Sequence, residues 1–261
     1  MSKHVQSVNR AITLLNCLEK SGKPLTLQNL SEKSQLPNST AYRILATLEA
    51  ADFVERDPID GTYQLGLRLL ELGSAVSTSR DIIRISKPYM HRITYELNEN
   101  TCLAQIMHGE VLILDFSEST SAFHVVSKVG ARLPIHCTVQ GKIMLAHMPE
   151  SKVKQILEEH GMQMYTPNTK HTYAELRPEL EEIRKHGYAL DNSEFHTGLF
   201  SVAAPIYDAR GKASYSFAIV SMFHKIGSPK FEEAKAMALE AAAAISHALG
   251  YRPEEEKQQT D

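Results

Sequence analysis

The sequence predicts an α+β chain, in which an N-terminal winged helix-turn-helix leads through a linker helix into an antiparallel sheet domain covered by helices. Three observations predict it. Short amphipathic helical segments separated by Gly and Pro fill the first fifty residues, the period shifts from helical to alternating after Ala51, and helical and β-like runs alternate from Ile82 onward. The 261 residues suffice for two cored domains, and a content of 43% apolar and 23% charged residues excludes wholesale disorder.

Val5, Val8, Ile12 and Leu15 recur at helical spacing and define the inner face expected of a first helix, which ends where Ser21-Gly22-Lys23-Pro24 interrupts it. Thr26 is a good N-cap for a second helix with Leu27 and Leu30 inward. Gln35-Leu36-Pro37-Asn38 is a tight connection, and Ala41, Ile44, Leu45 and Leu48 form the inner face of a third helix. Phe53–Arg56 and Thr62–Leu65 read as short strands around the turn-rich tip Asp57-Pro58-Ile59-Asp60-Gly61. Three helices with a short turn before the third, followed by a hairpin, make a winged helix-turn-helix. Leu65, Leu69, Leu72 and Val76 then share one helical face, suited either to packing on its own domain or to pairing with a second subunit. The expected organisation is 1–65 winged helix-turn-helix, 66–81 linker helix, 82–251 sheet domain and 252–261 disordered polar tail.

In the second half, residues 82–99 read as a helix, with Pro88 in a first turn or at a kink. Thr101–Met107 and Val111–Phe116 flank His108-Gly109-Glu110 as a hairpin, and Phe123–Val129 is expected to add a strand. Helices are expected over 138–147, 151–160 and 173–186, and strands over 201–207 and 213–222 around the turn Asp208-Ala209-Arg210-Gly211. A terminal helix over 231–249 carries Ala241–Ala244, a run that permits close backbone packing.

Net charge is −3, divided as +1 over residues 1–80 and −4 over the rest. That is not the strongly basic patch usual in nucleic-acid binding, so a DNA-binding reading has to rest on pattern. No stretch approaches the ~20 apolar residues that span a bilayer, and Met1–Ser7 lacks the apolar core of a signal peptide. A cytoplasmic protein with no membrane partner is expected. Cys17, Cys102 and Cys137 are odd in number and widely spaced, forming neither a disulfide framework nor a metal knuckle.

An α-helix fits the major groove, and residues on its outward face near the N-terminus reach base edges. In the third helix Ser39, Tyr42, Arg43 and Ala46 lie opposite Ile44, Leu45 and Leu48. Arg43 is the base-reading candidate, because its fork suits a guanine edge. Ser39 and Thr40 are short donors for phosphate or base, and Asn38 is expected to cap the helix beside backbone amides that hold a phosphate. Gln28 stands where the preceding helix crosses the backbone. The wing, Pro58 to Tyr63, would lie along a minor groove, although Asp57 and Asp60 make it a poor phosphate binder.

Several motifs together resemble the IclR-type transcriptional regulators. Val5-Gln6-Ser7-Val8-Asn9-Arg10-Ala11 is similar to the opening of that family. So are Leu36-Pro37-Asn38-Ser39-Thr40-Ala41-Tyr42-Arg43-Ile44-Leu45, Thr47-Leu48-Glu49 and Tyr63-Gln64-Leu65-Gly66. Farther along, Leu133-Pro134-Ile135-His136, Gly141-Lys142, Leu145-Ala146, Gly187–Glu194, Gly198 and Ser201–Asp208 occur in the family's order. The resemblance spans residues 5 to about 250. It implies operator-DNA binding, with Thr47 and Tyr63 added to the contacts, and repression in preference to activation. It also implies a GAF-like effector domain, and assembly as a homodimer or dimer of dimers. The effector implied is a small organic or sugar acid. The pocket implied lies around His136, Cys137, Thr138, Asp191, Glu194, Ser201 and Ser221, with Met144 as an apolar wall. Relatives often carry Cys at Ser201 and a Ser-Gly pair at Met222-Phe223, differences that would alter the pocket.

Two other readings use the same residues. Asp191-x-x-Glu194 with His196 resembles acid/base or metal-binding equipment, but no H-x-x-x-H or C-x-x-C companion supports it, and the stronger reading is that both carboxylates cap or brace a loop beside a surface histidine. His136-Cys137 suggests base and nucleophile, yet neighbours on a strand point to opposite faces. No enzyme activity, metal or cofactor is therefore expected. A constitutive DNA-binding module with a vestigial pocket is the remaining alternative.

Overall fold

The computed structural model describes residues 5–79, 81–121, 127–222 and 224–253. The chain divides into two units, Met1–Ser79 and Arg80–Asp261.

The first unit opens with helices α1 (Gln6–Ser21), α2 (Leu27–Ser34) and α3 (Asn38–Glu49). They bury Leu14, Leu18, Leu25, Leu30, Ala41 and Leu45 against Val54 and Tyr63. Thr26 caps α2 as expected, its hydroxyl accepting the Asn29 amide at 3.2 Å. The inner face of α1 differs from the expected one: Leu14 and Leu18 are buried, whereas Val5, Val8 and Ile12 are exposed. Strands β1 (Val54–Arg56) and β2 (Tyr63–Leu65) pair antiparallel, and the Leu25 and Tyr63 backbones join the hairpin to the helices. Gly66 ends the wing where nothing larger fits, since a Cβ there would lie 2.2 Å from the Asp52 carbonyl oxygen. The chain then enters α4 (Arg68–Ser79), on which Leu70, Leu72 and Val76 are exposed, as is Leu67 just before it. Of the two uses expected for this apolar helix, burial against its own domain is not the one observed.

The second unit contains a six-stranded antiparallel sheet in the order β5-β4-β3-β8-β7-β6. The elements in chain order are α5 (Asp81–Leu97), β3 (Asn100–Met107), β4 (Glu110–Ser117), β5 (Arg132–Leu133), α6 (Val139–Ala146), α7 (Glu150–His160), α8 (Tyr173–His186), β6 (Ala189–Asn192), β7 (Phe200–Tyr207), β8 (Ala213–Ser221) and α9 (Pro229–Ala248). Strand alternation divides the core in two. Cys102, Ala104, Ala203 and Ala218 face α6, α7 and α8. Leu103, Val202, Phe217 and Ile219 face α5 and α9. Ala238, Ala241 and Ala242 of α9 are buried, the close approach that the alanine run permits. Pro88 lies inside α5 rather than in its first turn. The short strand β6 is an element the sequence reading lacked.

Of the strand expected over Phe123–Val129, residues 123–126 lie outside the described residues, and 128–131 form a turn before β5. Phe223 and the tail from residue 254 also lie outside them. Among the described residues no helix is long and apolar enough to cross a membrane.

Candidate functional site

The outward face of α3 is assembled by burial of the opposite one. Ala41 and Leu45 are fully buried, leaving Ser39, Tyr42, Arg43, Ala46 and Thr47 exposed and Thr40 half-buried. Thr47 Oγ1 bonds back to the Arg43 carbonyl at 3.0 Å, so its hydroxyl proton is used within the helix. Gln28 is held on α2 by donating to Glu32 Oε1 at 3.1 Å.

Two expectations change. Asn38 is the first helical residue and makes no capping bond, because the extended Pro37 occupies the cap position and its carbonyl accepts the Thr40 and Ala41 amides. Tyr63 is 2% exposed, packed in the core under the Arg56 guanidinium, 5.6 Å from the ring centroid, and so offers no ring to DNA. The wing carboxylates are turn builders: Asp57 Oδ1 accepts the Ile59 amide at 2.7 Å, and Asp60 Oδ1 accepts the Thr62 amide at 2.8 Å. The Thr62 amide and hydroxyl hold the Asp60 carboxyl below its usual range. Arg56 on β1, unremarked in the sequence reading, is the exposed cation of the wing.

In the second unit a cavity of about 240 Å³ opens between the sheet and the N-terminus of α6. Asp191, Ser201 and Val220 form one row across β6, β7 and β8, each directly opposite the next, and all three line it. Cys102 and Ile113 come from β3 and β4, Thr138 and Gln140 from the start of α6, and Phe195, His196 and Leu199 from the loop after β6. Thr138 caps α6, accepting the Gly141 amide at 3.3 Å while donating to the Pro134 carbonyl at 2.7 Å. Gly141 is required by that turn, for its Cβ would fall 2.0 Å from the Ile135 carbonyl oxygen.

Of the expected effector residues, Thr138, Asp191 and Ser201 meet in this cavity, and the other five lie elsewhere. His136 is buried, its Nε2 2.9 Å from the Gln163 carbonyl; burial pushes its pKa down against that bond. Cys137 is a core thiol pushed up to about 12 by burial, then by Asp191 and Glu194. The 134–138 segment is a bend rather than the strand assumed, so the separation of His136 and Cys137 owes nothing to strand alternation. Met144 sits in the core between α6 and the sheet. Ser221 follows Val220 and therefore emerges on the opposite sheet face, where its hydroxyl donates to Glu99 Oε1 at 2.9 Å.

Glu194 belongs to a buried ion cluster. Lys142 Nζ lies 2.5 Å from Glu179 Oε1, Glu194 Oε1 and the Leu190 carbonyl, and Lys170 Nζ is 3.9 Å from the outer oxygens of both carboxylates. Burial opposes the charge on Lys142, but Glu179 and Glu194 outweigh it and hold its pKa above the usual lysine value. A lysine inside an eight-residue helix with every side chain buried is the signal that sequence reasoning passed over. The Glu194 amide in turn donates to Asp191 Oδ1 at 2.7 Å. Burial pushes Asp191 up to about 7, against that amide and the Lys142 charge. His196, expected at the surface, is exposed yet contributes to the cavity wall. Among the described residues no group of three or more His, Cys, Asp or Glu is placed to hold a metal.

Comparison with known proteins agrees with both halves. A family model described as the IclR helix-turn-helix domain matches residues 7–58, and one described as the C-terminal part of the bacterial transcriptional regulator IclR matches residues 74–247. The HTH-type transcriptional repressor AllR of Klebsiella pneumoniae is 31% identical over 252 residues, covering 97% of this chain and 93% of the relative. The crystal structure of an IclR transcriptional regulator from Alicyclobacillus acidocaldarius superposes with a TM-score of 0.85 at 27% identity, covering 95% of this chain and 100% of the other. An IclR homolog from Microbacterium hydrocarbonoxydans, complexed with 4-hydroxybenzoate, gives a TM-score of 0.83 at 26% identity, covering 94% and 99%. These relatives are transcriptional regulators rather than enzymes. With a winged helix-turn-helix, an antiparallel sheet domain and family matches over both units, the chain belongs to the IclR family of bacterial transcriptional regulators.

Proposed function

We propose that the protein is a cytoplasmic repressor that reads operator DNA through α3 and is controlled by a small organic acid bound in the cavity beside Asp191 and Ser201. The observation that carries the DNA half is the outward face of α3, where Ser39, Tyr42 and Arg43 are exposed over the packed Ala41 and Leu45. Arg43 takes the base-reading role, while Ser39, Thr40, Asn38 and Gln28 position the backbone and Arg56 serves the wing.

Assembly as a homodimer, or a dimer of dimers, is supported by apolar residues left at the surface of the first unit. Val8 and Ile12 on α1 and Leu72 and Val76 on α4 are exposed at helical spacing, the pattern of faces that bury one another between copies. An effector changes DNA affinity only by preferring one arrangement of the two recognition helices, and a coupling of about 1–3 kcal/mol suffices.

A bound acid in a relative of the same fold, together with the mixed apolar and hydroxyl lining here, supports the effector half. Ser201→Phe tests it by filling the cavity. In gel shifts with the chain's own upstream fragment, this variant is expected to bind DNA normally and to lose release by any small acid that releases the parent protein. A normal response would place the effector elsewhere.

A further inference from the structure

The cavity is lined, among the described residues, by no lysine or arginine; its ionisable groups are Asp191, His196 and the Cys102 thiol. An arriving carboxylate therefore meets a carboxyl group rather than a basic clamp. We propose that Asp191 acts as a protonated carboxylic acid that donates a hydrogen bond from Oδ2 to the carboxylate of the effector, so that each organic acid enters together with one proton. The inference rests on the organic-acid reading given above and adds how the site recognises that charge.

The geometry favours this use of Asp191. Its Oδ1 accepts the Glu194 amide at 2.7 Å, which fixes the carboxyl plane, and the side chain is 2% exposed in the row with Ser201. Two carboxyl groups at hydrogen-bonding distance at a buried position hold one proton between them, because like charges so close disfavour ionisation of both. The proton comes from solvent, stays on Asp191 Oδ2 and is shared with an effector oxygen; no covalent bond changes. Ser127 Oγ at the same cavity is buried without a hydrogen-bond partner, leaving a donor for the ligand.

The charged and titratable groups facing Asp191 do not supply a substitute. Lys142 on α6 is committed to Glu179 of α8, Glu194 and the Leu190 carbonyl. Lys170 stands beside the same two carboxylates. Cys102 on β3 and Cys137 before α6 are neutral thiols, each pushed up to about 12 by burial. His196 puts an imidazole on the same cavity wall, and the test separates it from Asp191. Burial already brings the empty-site pKa of Asp191 to about 7, so a neighbouring anion raises it further and draws the proton in.

The test is calorimetry on the full-length protein with acetate, benzoate and 4-hydroxybenzoate, each beside its primary amide, between pH 6 and pH 8.5 in two buffers of different ionisation enthalpy. An acid that binds is expected to take up little proton at pH 6, about half a proton at pH 7 and close to one by pH 8.5, with its affinity falling up to about tenfold per pH unit above pH 7. Its amide should show no such slope. Asp191→Asn, which keeps an oxygen for the Glu194 amide, should abolish the slope, whereas His196→Gln should retain it. Acid binding without proton uptake, or a slope that survives Asp191→Asn or disappears in His196→Gln, overturns the inference and leaves the organic-acid reading standing. Failure of every acid to bind at any pH, across a widened set of small monocarboxylates, overturns the organic-acid reading and this inference with it.

Discussion

Lys142→Met is expected to destabilise the C-terminal unit by about 3–5 kcal/mol, a loss measurable as a lowered denaturant midpoint of the full-length protein. The lysine is fully buried and forms close ion pairs with Glu179 and Glu194. Methionine fills a similar volume, so packing contributes little; what remains is a pair of carboxylates that have lost the ammonium bonded to both and keep only Lys170 at 3.9 Å. Glu194 has already been pushed up by burial, with Lys142 pulling the other way, so loss of the lysine drives it toward protonation. Removing the charges together should recover much of the loss: a variant combining Lys142→Met with Glu179→Gln and Glu194→Gln is expected to be clearly more stable than Lys142→Met alone. If the single and combined variants unfold alike, the cluster is not what holds α6, α8 and the loop after β6 together. Because the folded pKa of Lys142 is raised, its stabilisation is complete below about 10.4 and is lost only as pH rises through that raised value. Neutral-pH control by the effector therefore leaves the Lys142 charge in place.

Much of this architecture is legible in the sequence where periodicity and turn chemistry agree. Thr26, Pro37 and the Asp57–Gly61 tip set out the helix-turn-helix and its wing, because each acts through its own backbone neighbours. Helical spacing does not pick out the buried face of α1, because that helix carries two apolar stripes: Leu14 and Leu18 enter the core, while Val8 and Ile12 remain outside. Period gives the spacing of a stripe, not which of two is covered by α2 and α3. Asn38 was one position too far along for a cap, since proline supplied the extended residue itself. In the sheet domain, register decided what spacing could not. Asp191 and Ser201 face one another only because β6 pairs with β7, and a one-residue step removes Ser221 from the cavity to the opposite sheet face. Lys142 was invisible for a different reason: its partners lie 37 and 52 residues away and meet it only once α8 and the loop after β6 are in place.

Arg43→Ala is expected to weaken operator binding by about 30-fold to 2 × 10⁴-fold while leaving fold and oligomeric state unchanged. One bidentate arginine–guanine contact is worth about 1–3 kcal/mol of discrimination, and a homodimer engages two half-sites, so the loss is about 2–6 kcal/mol over the whole operator. Folding should not suffer, because the side chain is exposed and the ion pairs of this unit's described residues, such as Arg68–Glu71, do not include it. Alanine is also at home in a helix interior. The loss should be selective: Arg43→Ala removes base reading, whereas most phosphate contacts remain, so affinity for unrelated DNA at the same salt should change far less than affinity for the operator. Arg43→Lys sharpens the distinction, because it keeps the positive charge but not the planar fork, and should restore unrelated-DNA binding while leaving operator preference low. Quantitative footprinting of parent and both variants at one fixed salt concentration reads all three outcomes. Equal losses on operator and unrelated DNA would make Arg43 a phosphate contact, and an unchanged footprint would move base reading to Ser39 or Tyr42 on the same face of α3.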